Sequence, residues 1–225
     1  MSDVIVSGVV VSGMTSPYET WPGLQSHPLG RHALKLREMG ARPSRLSPLI
    51  AMSDPKRTPD IIGWAKALPK HCAVIYRYDT FDECVARELR KLTAANSQQL
   101  LIRSQSRYEF SDGQHFKRDT DLALISEAKQ KSPGALLTLA ALKCRSYSAP
   151  LPDIDGLLVS AIFPSRSPSA GTPIGVETLK QQTKETNAPV FALGGINTKT
   201  APALFGTDIA GIAAVGALKE DDYDR

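Results

Sequence analysis

The feature that most constrains the fold of this 225-residue chain is a series of eight short, largely apolar runs that begins at Leu49. Most of them are rich in Val, Ile, Leu and Ala and show little polar alternation, which is typical of strands buried on both faces of a parallel sheet. We predict strands over residues 49–52, 72–78, 99–103, 114–116, 135–140, 156–161, 189–193 and 209–214.

Helical patterns separate most of these runs. We predict helices over residues 60–68, 81–95, 122–131, 176–186 and 198–205. Eight strands with helical crossovers, in a chain of this length, favour an α/β fold with a single closed (β/α)8 TIM barrel. An open doubly wound sheet is the alternative, because the spacing of the runs does not prove closure.

The first 45 residues precede the regular alternation and are predicted to form an N-terminal extension, with the barrel domain over residues 46–225. The β-branched run at residues 4–11 suggests an added strand, or an arm that packs on a second copy of the chain, so a homo-oligomer stays open. A helix is predicted over residues 31–39, ended by Gly40 as a glycine C-cap.

Two glycine turns follow consecutive predicted strands near the C-terminus. Gly194 and Gly195 follow the seventh strand, and Val215 and Gly216 follow the eighth. Backbone N–H groups at such turns suit an anion, and the loops after strands seven and eight of a TIM barrel form a phosphate site. The alternative is a helix-initiating turn capped by Asn197.

Composition narrows the class of ligand. The net charge is +4 and the pI is about 9.0, but the basic residues are dispersed and no aromatic run separates them. These features favour an anionic small molecule over nucleic acid. We expect a cytoplasmic protein with reduced cysteines and without membrane contact. The three cysteines are dispersed, no apolar run reaches membrane-spanning length, and no basic signal region is present.

Two motifs resemble the thiamine phosphate synthase family, which includes thiazole tautomerases: Leu-Val-Ser-Ala-Ile-Phe-Pro-Ser at 158–165 and Pro-Val-Phe-Ala-Leu-Gly-Gly-Ile-Asn at 189–197. The resemblance extends over about residues 46–218. It implies a (β/α)8 barrel of thiamine biosynthesis, a transferase that joins a pyrimidine diphosphate to a thiazole phosphate. Pyrophosphate is released in this reaction with the help of a magnesium ion.

Several residues match the positions that the family uses. The resemblance implies that Arg77 binds the diphosphate and that the hydroxyl of Ser165 contacts phosphate. Ser167 belongs to the same phosphate-binding loop. It also assigns the two glycine turns to the thiazole phosphate, which makes Gly194, Gly195, Val215 and Gly216 substrate-binding residues.

Other positions depart from the family pattern. Arg103 and Ser104 stand where the family has Asn-Asp with a magnesium ligand, and Leu142-Lys143 replaces a His-Ser pair whose His serves the tautomerases. Asp119 and Asp121 are the remaining candidate metal ligands. Arg103, Lys143 and Arg166 are expected to bind substrate as fixed cations, so we expect weak or absent magnesium dependence.

Three hypotheses stay open at this point. The first is a thiamine phosphate synthase that tolerates an altered metal site. The second is a diverged barrel of that family that binds a phosphorylated thiazole, pyrimidine or other small molecule, with or without catalysing a different step. The third is a non-catalytic binding or regulatory protein. Of the four histidines, His115 is the one placed to face the site, and we expect no tautomerase activity.

Overall fold

A computed structural model describes residues 4–6, 9–11, 15–40, 42–141, 151–165, 171–216 and 218 of the chain. Strands β1 (Val4–Val6) and β2 (Val9–Val11) form a separate antiparallel pair. The other strands are β3 (Leu49–Met52), β4 (Ala73–Tyr76), β5 (Gln99–Arg103), β6 (Gly113–Phe116), β7 (Leu136–Ala141), β8 (Gly156–Val159), β9 (Val190–Leu193) and β10 (Gly211–Ala214).

Strands β3 to β10 form a closed parallel barrel in chain order. Closure comes from the pairing of the last strand with the first, in which Ile212 lies opposite Leu49. The predicted TIM barrel is therefore confirmed and the open sheet is wrong. The run at residues 4–11 contributes its two strands outside the barrel.

Helices cover the outside of the barrel. They are α1 (Pro17–Thr20), α2 (Pro28–Met39), α3 (Ile61–Lys66), α4 (Glu83–Ala95), α5 (Leu122–Lys131) and α6 (Gly175–Glu185), with 3-10 turns at Pro22–Ser26 and Ala201–Leu204. Helix α5 has its predicted bounds. The helix predicted over residues 198–205 is wrong, because Pro202 lacks an amide hydrogen and Gly206, at φ +79°, turns the chain after only one 3-10 segment.

Helix α2 begins three residues earlier than predicted, where His27 Nδ1 accepts a hydrogen bond from the amide of Gly30 at 3.3 Å. Gly40 does follow its end, but with φ −81° it is not the left-handed cap that we expected. A side chain at Gly40 would place its Cβ 2.6 Å from the carbonyl oxygen of Ile209. Glycine is required there for the close approach of helix and barrel.

The same helix packs against β3 and β10, where the barrel closes. Leu29, Ala33 and Leu34 are fully buried and belong to the apolar layer between strands and helices. Residues 28–39 therefore contribute to the helical coat of the barrel. The domain boundary at residue 45 stays a prediction.

Apolar side chains fill the lower part of the barrel. Because alternate residues of a strand point to opposite faces, a second buried cluster is separate from the outer one and occupies the interior. It comprises Leu46, Ile50, Met52, Ala73, Ile75, Leu101, Leu136, Leu158, Phe191, Ala210 and Ala213. Polar side chains replace this packing at the carboxyl ends of several strands, and that end is where TIM barrels carry their sites.

Candidate functional site

Four polar residues lie side by side, one directly after β4 and the others within β5, β6 and β7. Arg103 is paired with His115, and His115 with Thr138. The register of β4 with β5, in which Tyr76 lies opposite Ile102, places Arg77 next to Arg103. Since Leu101 lines the interior, Arg103 two residues later faces the interior as well. We call Arg77, Arg103, His115 and Thr138 the polar row.

Arg77 is held by the end of β3. Its Nε donates to the carbonyl oxygen of Ser53 at 2.6 Å, and its Nη2 donates to the Asp54 carboxylate at 3.2 Å. The hydroxyl of the buried Ser53 accepts from the Arg77 amide at 2.7 Å and donates to its carbonyl at 3.0 Å. These bonds fix the guanidinium at the mouth of the barrel.

The electrostatic environment of Arg77 reveals a local excess of positive charge. Burial lowers the pKa of Arg77, and Arg57 and Arg103 lower it further, whereas Asp54 opposes the shift. Like charges on adjacent strands are destabilising unless a counter-charge is present. An anionic ligand at this point would relieve the repulsion between the two arginines of the polar row.

Arg103 is supported by aromatic side chains. Its guanidinium donates to the carbonyl oxygen of Tyr78 and lies 5.3 Å from the centre of the Tyr78 ring. A chain of neighbouring rings with centroids 4.4 to 5.5 Å apart continues from there: Tyr76, Tyr78, Phe81, Tyr108 and Phe110. The contact with Tyr78 restricts the directions that the Arg103 side chain can take.

His115 is almost completely buried, and its Nδ1 lies 3.0 Å from Oγ1 of Thr138. Burial lowers the pKa of His115 to about 3, with further contributions from Arg77 and Arg103. The imidazole is therefore neutral near pH 7. The sequence pointed to His115 only through its place at a strand end. Its contacts with β5 and β7, together with the roles of Ser53, Asp54, Tyr78 and Thr138, were not predicted.

The two glycines after β9 have positive φ angles, +95° for Gly194 and +68° for Gly195. A Cβ at Gly194 would lie 2.7 Å from the Cβ of Ala161, and one at Gly195 would lie 2.5 Å from the carbonyl oxygen of Pro164. The amide of Phe163 donates to the Gly194 carbonyl at 3.0 Å. The glycines thus permit contact between the loops after β8 and β9. Their predicted role in phosphate binding stays a prediction.

The turn that follows is organised by Asn197. Its Oδ1 accepts from the amides of Lys199 at 2.8 Å and Thr200 at 3.0 Å, and the Thr200 hydroxyl donates to the Gly195 carbonyl at 2.9 Å. Asn197 therefore caps this turn, as the alternative interpretation proposed. This local role leaves the phosphate-binding hypothesis open.

The remaining predicted contacts divide into two groups. Val215 and Gly216 directly follow β10, and Val215 packs partly buried on the interior cluster. Ser165 follows the loop after β8 and is partly exposed. Lys143, Arg166 and Ser167 lie outside the described residues.

The two predicted metal ligands are engaged elsewhere. Asp119 is 77% exposed and pairs with Arg118 at 3.3 Å, while Asp121 Oδ1 accepts from the Ala123 amide at 2.9 Å and caps α5. Across the described ranges, His, Cys, Asp and Glu side chains form no group of three or more that could hold a metal ion. The predicted role of Asp119 and Asp121 as magnesium ligands stays a prediction.

A groove of about 760 Å³ lies at the opposite end of the barrel, next to the starts of β8 and β9. It contains Arg45, which pairs with the buried Asp155 at 2.7 Å, and Asp155 also accepts from the amide of Leu137 at 2.9 Å. Both charges are satisfied within the fold. Polar groups at the amino end of a TIM barrel serve stability, whereas catalytic groups lie at its carboxyl end.

Cys72 is buried and Cys84 exposed, and neither forms a disulfide; Cys144 is outside the described residues. Burial raises the pKa of the Cys72 thiol to about 12, so it is not a nucleophile near pH 7. Among the helices that the structure describes, none combines the length and the apolar character needed to cross a membrane.

Comparison with known proteins places this geometry in context. Thiamine-phosphate synthase of Prochlorococcus marinus is 31% identical over 118 residues, which is 51% of this chain and 33% of that protein. Thiamine-phosphate synthase of Streptococcus suis is 30% identical over 118 residues, 50% of this chain and 51% of that protein. The chain thus spans a third to a half of the length of these two relatives.

The solved structure of thiamine phosphate pyrophosphorylase from Pyrococcus furiosus has the same fold, with a TM-score of 0.61 at 22% identity over 78% of this chain and 89% of that one. A family model described as thiamine monophosphate synthase matches residues 83–218, which include β5 to β10 and three of the four members of the polar row. This match covers more than half of the chain, and the chain therefore belongs to the thiamine monophosphate synthase family.

Proposed function

We propose that this protein is a cytoplasmic thiamine phosphate synthase-like transferase that joins a pyrimidine diphosphate to a thiazole phosphate and releases pyrophosphate. The observation that carries the proposal is the position of Arg77 and Arg103 on adjacent strands at the carboxyl end of the barrel. Two fixed guanidinium groups match the charge and the bidentate geometry of a diphosphate.

The bond that breaks joins the pyrimidine methylene carbon to the diphosphate oxygen. Its electron pair leaves with pyrophosphate, and the thiazole nitrogen then donates a pair to the resulting pyrimidine cation. Negative charge therefore grows on the leaving group. Arg77 and Arg103 would stabilise it, and because other contacts already fix both side chains, little reorganisation is needed.

The proposal also includes a change in the residues that bind the metal in other members of the family. Arg103 stands where the family has a metal-binding pair, and Asp119 and Asp121 are occupied by Arg118 and by the start of α5. We propose that the arginines take over charge neutralisation that magnesium ordinarily supplies. The thiazole phosphate would then bind at Gly194, Gly195 and the β10 turn.

A second candidate function is a non-catalytic barrel that binds a phosphorylated small molecule. The described residues include no group of three or more side chains that could hold a metal ion, which favours this candidate, because arginines bind phosphate directly without a metal. Both candidates use the polar row, so a binding measurement alone does not separate them.

The test combines calorimetry with an assay of pyrophosphate release. Thiazole phosphate, pyrimidine diphosphate and magnesium are titrated separately and together. Synthase function predicts turnover with both substrates and loss of at least tenfold in kcat/KM in Arg103→Gln. Lys131→Gln is the matched control, since Lys131 forms an exposed pair with Glu127 on α5. Binding of pyrimidine diphosphate without turnover would establish the second candidate, and binding of neither substrate would reject both.

A further inference from the structure

In the barrel, neighbouring strands are consecutive in the chain except β3 and β10, which are the first and the last. The residue pairs that join them run from Ile212 opposite Leu49 to Ala214 opposite Ala51, and the Ile212 amide donates to the Pro48 carbonyl at 2.8 Å. We call this contact the seam. The whole barrel lies between these two strands in sequence, so their contact carries the entropic cost of closing a long loop.

An N-terminal segment lies across the seam, and we call its residues 15–40 the strap. Helix α2, which belongs to the strap, packs on both β3 and β10. The 3-10 turn of the strap is attached beside β3, because the Gly23 amide donates at 3.1 Å to Nδ1 of His71, two residues before β4. The strap therefore contacts the barrel on both sides of the seam.

One side chain of the strap forms hydrogen bonds on both sides. Nε of Arg37 donates to the carbonyl of Ala210, directly before β10, at 2.6 Å. Its Nη2 donates to the carbonyl of Leu46 at 3.0 Å and its Nη1 to that of Ser44 at 2.9 Å, both on the segment that leads into β3. A guanidinium holds its donors in a fixed plane, so it can bond three carbonyls at once in a way that the compact ammonium of lysine cannot.

The charge of Arg37 is balanced in an uncommon way. Among the ion pairs of the described residues, none includes Arg37. Its Cζ instead lies 5.0 Å from the centre of the Trp21 ring and 5.8 Å from that of Phe191. Burial lowers the pKa of Arg37 to about 10, so the group stays charged near pH 7. Docking of the strap and closure of the seam thus share three charge-assisted hydrogen bonds.

We propose that the strap is a conformational device that closes the barrel, that Arg37 couples the strap to the seam, and that strap and seam open together while β5 to β8 stay folded. Folded proteins commonly open in such cooperative units. The seam lies between Arg77, which follows β4, and the turn at Val215 and Gly216, which follows β10. The strap therefore sets the relative position of the two sides of the barrel mouth.

The first measurement uses the unmodified full chain. Native-state hydrogen exchange is followed at increasing urea concentrations below the unfolding transition. We expect the amides of α2 and the seam amide of Ile212 to exchange through one shared opening, whose dependence on urea is weaker than that of the amides in β6 and β7. The proposal is overturned if Ile212 exchanges only together with β6 and β7, or if α2 opens while Ile212 stays protected.

The second measurement tests the role of Arg37. In Arg37→Lys, we expect exchange of α2 and of Ile212 to accelerate by at least about tenfold, and by the same factor as the global unfolding equilibrium shifts, because the Arg37 bonds break in both openings. Arg31→Lys is the matched control, since Arg31 is exposed on the same helix and donates to the Gln25 carbonyl within the strap at 3.0 Å. It should change neither rate appreciably. Unchanged exchange at Ile212 in Arg37→Lys contradicts the coupling.

A third measurement separates the seam from the rest of the barrel. Ile125 is fully buried on α5, between the strands that are expected to stay folded. Ile125→Val should shift the global unfolding equilibrium by roughly fivefold and leave exchange of Ile212 unchanged. Equal acceleration at Ile212 would mean that the seam opens only when the whole barrel unfolds, and would overturn the proposal. If Arg37→Lys does not fold, the exchange of wild type and of Ile125→Val still decides whether strap and seam form one unit.

Discussion

Nη2 of Arg77 lies 3.2 Å from the carboxylate of Asp54, so a residue at the end of β3 partly neutralises the arginine that faces the ligand site from β4. Arg57 approaches the same carboxylate at 3.7 Å. The Asp54 carboxylate therefore has two opposing effects. It stabilises the folded arrangement of the arginines, and it competes with an anionic ligand for Arg77.

Asp54→Asn should strengthen anion binding and weaken the fold. Removal of the carboxylate charge leaves Arg77 more positive, so we expect the affinity for inorganic pyrophosphate to rise by roughly threefold to tenfold. We expect the free energy of unfolding to fall by about 1 kcal/mol because a partly buried ion pair is lost. Calorimetry and urea unfolding measure the two effects.

Glu127→Gln is the control for this substitution, because it removes an exposed pair with Lys131 on α5 in which the charged atoms are 2.6 Å apart. Neither pyrophosphate affinity nor stability should change appreciably in the control. A drop in pyrophosphate affinity in Asp54→Asn would contradict the competition between Asp54 and ligand.

Gly195→Ala should destabilise the protein more than Gly206→Ala. Both glycines have positive φ, +68° and +79°, so both substitutions incur backbone strain. Only at Gly195 does the new Cβ also meet the Pro164 carbonyl, at 2.5 Å, whereas nothing lies within 4 Å at Gly206. We expect Gly195→Ala to cost about 1 to 3 kcal/mol more in urea unfolding.

This result would alter the meaning of a binding defect at Gly195. A phosphate ligand could lose affinity in a Gly195 variant because the loop moves, and not because a side chain occupies the phosphate position. Equal destabilisation by the two substitutions would show that the contact between the β8 and β9 loops relaxes without cost.

The pH dependence of stability should carry a contribution from His115. Its pKa is about 3 in the folded protein against an ordinary 6.5, so below pH 6.5 the unfolded chain binds a proton that the folded chain does not. This contribution is fully present above about pH 6.5 and is lost progressively as the pH falls toward 3. Between pH 7 and pH 4, we expect the free energy of unfolding of wild type to fall by roughly 1–3 kcal/mol more than that of His115→Gln.

His27 and His32 have pKa values lowered mainly by burial, and they contribute equally to both proteins. The difference between the two unfolding curves therefore isolates His115. Parallel pH profiles would mean that His115 is protonated in the folded state or is reached by solvent.

Magnesium affinity should be low in the natural protein and should rise in the double variant Arg103→Asn, Ser104→Asp. The natural pair presents a cation and a hydroxyl where a carboxylate would bind the metal, and the cation repels a dication. Magnesium is titrated against both proteins in the presence of pyrophosphate. Tight magnesium binding by the natural protein would show that other residues supply the ligands.

Tautomerisation of the thiazole should not exceed the uncatalysed rate. The position that carries the tautomerase histidine in the family is Leu142, and the histidine at the mouth of the barrel, His115, is too weak a base at a pKa of about 3 to shuttle a proton near pH 7. The check is turnover of the thiazole tautomer by the purified protein. Turnover that is lost in His115→Gln would identify His115 as a base after all.

Elements whose pattern is local could be predicted from the amino-acid sequence. Two strands, Leu49–Met52 and Gln99–Arg103, and the helix Leu122–Lys131 were predicted with their observed bounds. The spacing of apolar residues that identifies each segment, and the residues that end it, are local in the sequence. The prediction of a helix over residues 198–205 was wrong. Its apolar residues suggested a helix, but Pro202 and Gly206 limit the segment to one 3-10 turn.

Which of these segments come into contact could not be predicted in this way, because it depends on strand pairing and packing across the fold. The register of β5, β6 and β7 sets Arg103, His115 and Thr138 at one level, and closure of the barrel brings α2 to the junction of β3 with β10. The close contact of Gly195 with the Pro164 carbonyl likewise joins residues from two different loops. Strand register and barrel closure depend on packing between distant segments, and a one-residue change in pairing would turn His115 away from the interior. That dependence on remote partners is why the sequence placed Arg77, Arg103 and His115 near one site but did not reveal the contact of His115 with Thr138 or its neutral state.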